Sequence, residues 1–120
     1  MVPELLTLGE GLAGALRARP ERAWILVSAD LSHVHPAGVN PYPPNGPVAA
    51  AFDGAMGRWA AALDEGALME AAAVADEALS CGFTGAVLLH GALRRSGAWA
   101  PRLLAGPSAP TYYGMLVADF

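Results

Sequence analysis

Ala23-Trp24-Ile25-Leu26-Val27 runs straight into Ser28-Ala29-Asp30-Leu31-Ser32-His33. The first five residues are a short, continuous apolar run, the pattern of a buried strand over residues 23–28. The next six bring a carboxylate, two hydroxyls and an imidazole to the point where strand gives way to loop. In open α/β sheets, ligands bind just beyond the carboxyl ends of strands. This junction is therefore where chemistry is expected.

Upstream, Thr7 and Glu10 have capping-box spacing, Leu8, Leu12 and Leu16 follow at helical intervals, and Pro20 closes the segment. The spacing predicts a first helix over about residues 8–19. Downstream, residues 34–47 hold five of the ten prolines, two glycines and two asparagines, the composition of a long binding-type loop. Asn45-Gly46-Pro47 opens a second helix, whose buried stripe is Phe52, Met56, Trp59 and Leu63. Asp64-Glu65-Gly66 breaks it, and a third helix carries Leu68, Ala72, Ala75 and Leu79 on one face. Cys81-Gly82 interrupts that helix, and a fourth follows over about residues 84–95. Residues 98–110 read as a Pro-rich connection and residues 112–117 as a last strand. No internal repeat or domain boundary is visible, so residues 1–120 read as one α/β domain.

Hydrophobic residues make up 54% of the 120-residue chain and charged residues only 15%. That is apolar for a single small domain, and part of this surface is expected to face a partner. Two strands cannot build a doubly covered sheet of ordinary width. The remaining strands are expected from another chain or from dimerisation. The net charge of −4, with no basic stripe, argues against nucleic acid. No apolar run approaches the roughly 20 residues that span a bilayer. The start of the chain lacks a secretory signal pattern, and the one cysteine, Cys81, has no internal disulfide partner. A cytoplasmic setting is the expectation.

Four features in order resemble one family. They are the strand with Ser28–His33, the Phe52-Asp53 helix after a Pro/Gly loop, Cys81-Gly82 opening the apolar helix Ala86-Val87-Leu88-Leu89, and the terminal Tyr112-Tyr113-Gly114-Met115. Together they resemble the carboxyl-terminal half of the LigB-type class III extradiol ring-cleavage dioxygenase superfamily, which includes the MEMO-like proteins. The resemblance implies a partial LigB/MEMO-like sheet with covering helices. It implies non-haem Fe(II), oxygen-dependent ring opening of a catechol-type substrate, His33 as catalytic acid/base and Asp30 as a site-lining acid. It places Cys81 at the third metal-ligand position, and the two metal-binding histidines in an amino-terminal half that this chain does not contain. A homo-oligomer or a complementary amino-terminal-half subunit would have to supply what is missing. The alternative is an inactive MEMO-like interaction protein.

The residues themselves allow plainer roles. Imidazole titrates near neutrality and suits proton transfer, but a loop histidine bonded to a nearby acid has the same spacing. Ser28 and Ser32 are as well explained by capping the turn. Cys81 precedes a helix start, whose positive dipole end favours the thiolate that binds borderline metals, yet lone cysteines are usually small buried hydrophobes. His33-Val34-His35 has a spacing found in some metal sites, which makes His33, His35 and Cys81 a third candidate set. His90 reads as a satisfied helix residue. Phe52, Met56, Trp59, Trp24 and Met115 read as core or subunit interface, and Glu70, Asp76 and Glu77 as a solvated face. Neither a phosphate loop nor a nucleophile elbow is present.

Overall fold

The computed structural model describes residues 1–97 and 99–120. Among them are four helices, α1 (Val2–Arg17), α2 (Gly46–Ala62), α3 (Glu65–Val74) and α4 (Phe83–Ser96), and two strands, β1 (Arg102–Ser108) and β2 (Met115–Asp119). The chain is thus of mixed helix and sheet content. It groups into two units, Met1–Ser28 with Thr84–Trp99 and Ala29–Phe83 with Ala100–Phe120. No helix among the described residues is long and apolar enough to cross a membrane.

In the first unit, α1 starts at Val2 rather than Leu8. Pro3 sits in its first turn, where a missing N–H costs nothing, and Glu4 faces the positive helix end. Thr7 is therefore inside the helix, and its hydroxyl donates to the Pro3 carbonyl at 2.9 Å instead of capping. α1 and α4 approach closely through glycine. A Cβ on Gly9 would strike the Leu88 backbone, and one on Gly91 the Leu6 backbone. Arg94 Nε donates to Glu10 across the same pair at 3.1 Å.

The strand expected at 23–28 is absent. The segment forms no ladder, and residues 22–29 make no backbone hydrogen bond to any described residue. Trp24 is 94% exposed and Leu26 88%. Trp24 is thus not core, because a strand buries its side chains only once neighbouring strands and a covering layer exist.

In the second unit, the Asn45 side chain accepts from the Val48 N–H at 3.3 Å and fixes the start of α2. Asn45→Ala is expected to lower stability by about 1 kcal/mol, read as a shift in urea midpoint. Phe52, Ala49 and Ala60 of α2 and Leu68 and Ala71 of α3 are fully enclosed, with Met56 and Trp59 nearly so. Phe52 meets Phe83 edge-on at 6.2 Å. Leu63 ends α2 in a left-handed conformation (φ 53°), and Asp64 then caps α3 by accepting from Ala67 N–H at 3.2 Å. Leu79, placed on the buried face by periodicity, is instead exposed, because the regular helix stops at Val74. Glu70, Asp76 and Glu77 are exposed as expected.

β1 and β2 pair antiparallel, with Arg102 opposite Asp119 and Ser108 opposite Met115. β1 lies in residues read as a connection, and β2 begins three residues after the expected Tyr112. Met115 is 44% exposed and so is not core. Gly57 of α2 leaves room for Pro107, which a Cβ would meet at 2.6 Å. Arg102 Nε donates to Asp119 Oδ1 at 2.8 Å and holds the Asp119 carboxyl below its ordinary value. A depressed carboxyl supports the folded state above its unfolded value and ceases to do so as pH falls through the lowered one. Both side chains are solvated, so the effect on stability is small.

Candidate metal and acid–base site

Three segments of the second unit meet at His33: residues 30–35, the turn at 78–82 and residues 112–114. The first and last are tied by backbone bonds, with Leu31 N–H donating to Gly114 O (2.9 Å), Gly114 N–H to Ser32 O (2.9 Å) and His35 N–H to Tyr112 O (3.0 Å). The turn after α3 is closed by Leu79 in a left-handed conformation (φ 52°), a strained state for a branched residue. That reversal presents two carbonyls to one residue. Ala78 O accepts from His33 N–H at 2.8 Å, and Leu79 O lies 2.7 Å from His33 Nδ1.

A carbonyl only accepts, so Nδ1 carries the hydrogen. His33 Nε2 then faces Asp30 Oδ2 at 3.2 Å. In the neutral ring this nitrogen is itself an acceptor, so two acceptors confront one another. A second proton on the ring or a cation between them satisfies both.

Cys81 completes the group. Asp30 N–H donates to its Sγ at 3.3 Å. One ligand atom each from Asp30, His33 and Cys81 lies within 4.8 Å of the others. Gly82 permits this approach, because a Cβ there would meet the Asp30 carbonyl at 2.7 Å. The Asp30 side chain is 40% exposed and that of His33 16%, so the cluster opens to solvent on the Asp30 and Cys81 side. Carboxylate, imidazole and thiol together suit a borderline divalent cation, and a metal-bound histidine commonly donates its second N–H to a carbonyl, as Nδ1 does here.

Tyr42, Tyr112 and Tyr113 surround the His33 ring, at centroid distances of 6.1, 6.1 and 6.5 Å. Tyr42 comes from the Pro-rich loop. That loop is held by Asn45 N–H to Val34 O (2.8 Å) and Asn40 Nδ2 to His35 O (2.8 Å).

The set of His33, His35 and Cys81 does not assemble. His35 Nε2 binds Asp53 Oδ2 at 2.6 Å instead. Asp53 is 4% exposed, and its other oxygen accepts from Ser32 N–H at 3.0 Å. Sequence reasoning missed this buried pair, although Asp53 lies on the helical face of Ala49, Phe52 and Met56, where a carboxylate needs a partner. Gly114 is the complement, since a Cβ there would occupy the space of the Asp53 carboxylate. Ser32 Oγ is fully buried with no hydrogen-bond partner among the described residues. Ser32→Ala is therefore expected to leave the denaturation midpoint unchanged or raise stability by up to about 1 kcal/mol, because an unmet hydroxyl is removed. His90 is 5% exposed within α4.

No family model, no curated protein and no solved structure matches this chain.

Proposed function

We propose that this chain is the LigB/MEMO-like carboxyl-terminal half of a metal-dependent extradiol dioxygenase, acting on a catechol-type substrate in the cytoplasm. One observation carries the reading. Asp30, His33 and Cys81, singled out by the resemblance and up to 51 positions apart, bring ligand atoms within 4.8 Å of one another. In this reading Cys81 is a metal ligand, and His33 Nε2 takes the proton that the substrate hydroxyl loses. The Leu79 carbonyl holds the ring in orientation, and the Asp30 carboxylate accepts from Nε2 once that proton has arrived. The tyrosine rings offer flat apolar walls to an aromatic ligand. Ferrous iron, when bound, would supply the Lewis-acid site for substrate oxygens and dioxygen.

A second reading of His33 rests on its Nδ1 bond to Leu79 O, which leaves the Nε2 lone pair, facing Asp30 Oδ2 at 3.2 Å, to ligate the metal itself. One experiment separates the two. The protein is loaded with Fe(II) without oxygen, its metal content measured by native mass spectrometry, and 4-nitrocatechol added as a chromophoric ligand. One iron per chain is expected, with a nitrocatechol band shift that requires the metal. Cys81→Ser should weaken iron binding at least about 100-fold. His33→Ala that keeps iron but leaves nitrocatechol protonated supports proton transfer, and loss of iron makes His33 a ligand. Wild-type protein that holds neither iron nor nitrocatechol overturns the enzyme reading in favour of an interaction module.

A further inference from the structure

All three tyrosines of the chain, Tyr42, Tyr112 and Tyr113, stand around the imidazole of His33. They come from two segments, and backbone bonds fix both. Tyr42 N–H donates to Asn40 Oδ1 at 2.9 Å, and Tyr112 O accepts from His35 N–H at 3.0 Å. The rings meet at steep angles, 65° between Tyr42 and Tyr112 and 87° between Tyr112 and Tyr113, rather than face on face. Tyr42 is 42% exposed and the other two are half-buried, so solvent reaches the cluster. A tyrosine face carries negative charge density, which attracts an ammonium group and repels a carboxylate.

The charges of the same unit point the same way. Residues 29–83 and 100–120 carry eight acidic side chains against two arginines, and the chain has no lysine. Both arginines are already engaged, Arg58 with Glu70 and Arg102 with Asp119. An arginine fork is the usual anchor for a carboxylate ligand, and this unit has none to give. Its field instead concentrates cations. The Asp30 carboxylate is not required for this, since it stays with His33. We infer that the ligand of the His33 site is an aromatic compound that carries an ammonium group and no carboxylate, with the ammonium seated on the tyrosine rings. The inference rests on the proposed reading of the site and narrows its substrate to a cationic, amine-bearing catechol.

The test titrates the metal-free protein calorimetrically with dopamine, 4-methylcatechol and 3,4-dihydroxyphenylacetate, which present one ring with a positive, no or a negative charge. Dopamine is expected to bind about tenfold more tightly than 4-methylcatechol, and the acetate about tenfold more weakly. Tyr42→Leu should bring dopamine level with 4-methylcatechol, whereas Tyr42→Phe, which keeps the ring face, should preserve the order. Dihydroxyphenylacetate binding as tightly as dopamine, an unchanged order in Tyr42→Leu, or binding of none of the three would overturn the inference. Iron content, measured on the same protein, separates this result from the proposed function. The expected order in a chain that takes up no iron keeps the amine site and removes the dioxygenase, and iron uptake with the order reversed does the opposite.

Discussion

Gly9→Ala is expected to destabilise the protein by about 2 kcal/mol, whereas Gly11→Ala two residues along the same helix stabilises it by up to about 1 kcal/mol. Alanine is the better helix former by about 1 kcal/mol, which is the whole effect at Gly11, where an added Cβ meets nothing within 4 Å. At Gly9 the same gain is outweighed. The Cβ runs into the carbonyl of Leu88 and lies 2.8 Å from Ala92 N. Both are backbone atoms of α4 and cannot rotate aside. Relief requires moving one helix off the other, and overpacking of this kind costs about 3 kcal/mol. Gly91→Ala meets the Leu6 backbone in the same way and should behave like Gly9→Ala. Urea titrations of the single variants, compared at constant m, read the signs directly. Stabilisation by Gly9→Ala would mean that α1 and α4 do not cross as described.

Asp53→Ala carries the largest expected loss, about 4 kcal/mol. The carboxylate is buried and holds two groups, the Ser32 N–H and His35 Nε2. Removing it strands a buried amide and an imidazole together, and breaking a buried pair from one side costs about 3–5 kcal/mol. Gly114→Ala attacks the same contact from outside, by pushing a methyl group into the carboxylate. Both variants loosen the segment between Ser32 and His35, so metal affinity should fall with stability even though neither residue is a ligand. Thermal denaturation with and without divalent metal measures both effects. An Asp53→Ala protein of unchanged melting temperature would contradict the role given to this pair.

The helices were legible because their signals are local. Asn45 caps α2 where composition places the helix start, Asp64, read only as part of the break between helices, caps α3, and Phe52, Met56 and Trp59 are buried as their spacing requires. Strands were less legible, because a strand is defined by its partner. Ala23–Val27 has the composition of a buried strand but no hydrogen-bonded strand beside it among the described residues. Arg102–Ser108 lies in the stretch 98–110 that reads as a Pro-rich connection, yet finds β2 across from it. Asp30, His33 and Cys81 were each visible, and their meeting followed only from the resemblance. The anchors of His33, the carbonyls of Ala78 and Leu79, could not be read from sequence. They depend on the left-handed turn at Leu79, which no glycine or asparagine announces. His35 was misread for a related reason. Its partner, Asp53, sits 18 residues away, and the shared face that a His-x-His spacing has in a regular strand does not hold here, because residues 33–35 form no strand.

The most direct test of the central claim, that Asp30, His33 and Cys81 form one metal-competent cluster, is a Co(II) titration of the isolated chain followed by absorbance. Cobalt reports both geometry and thiolate bonding. Saturation at one cobalt per chain is expected, with a thiolate-to-cobalt charge-transfer band in the near ultraviolet that disappears in Cys81→Ser. A weak, solvent-like cobalt spectrum, identical in the wild type and in Cys81→Ser, would contradict it.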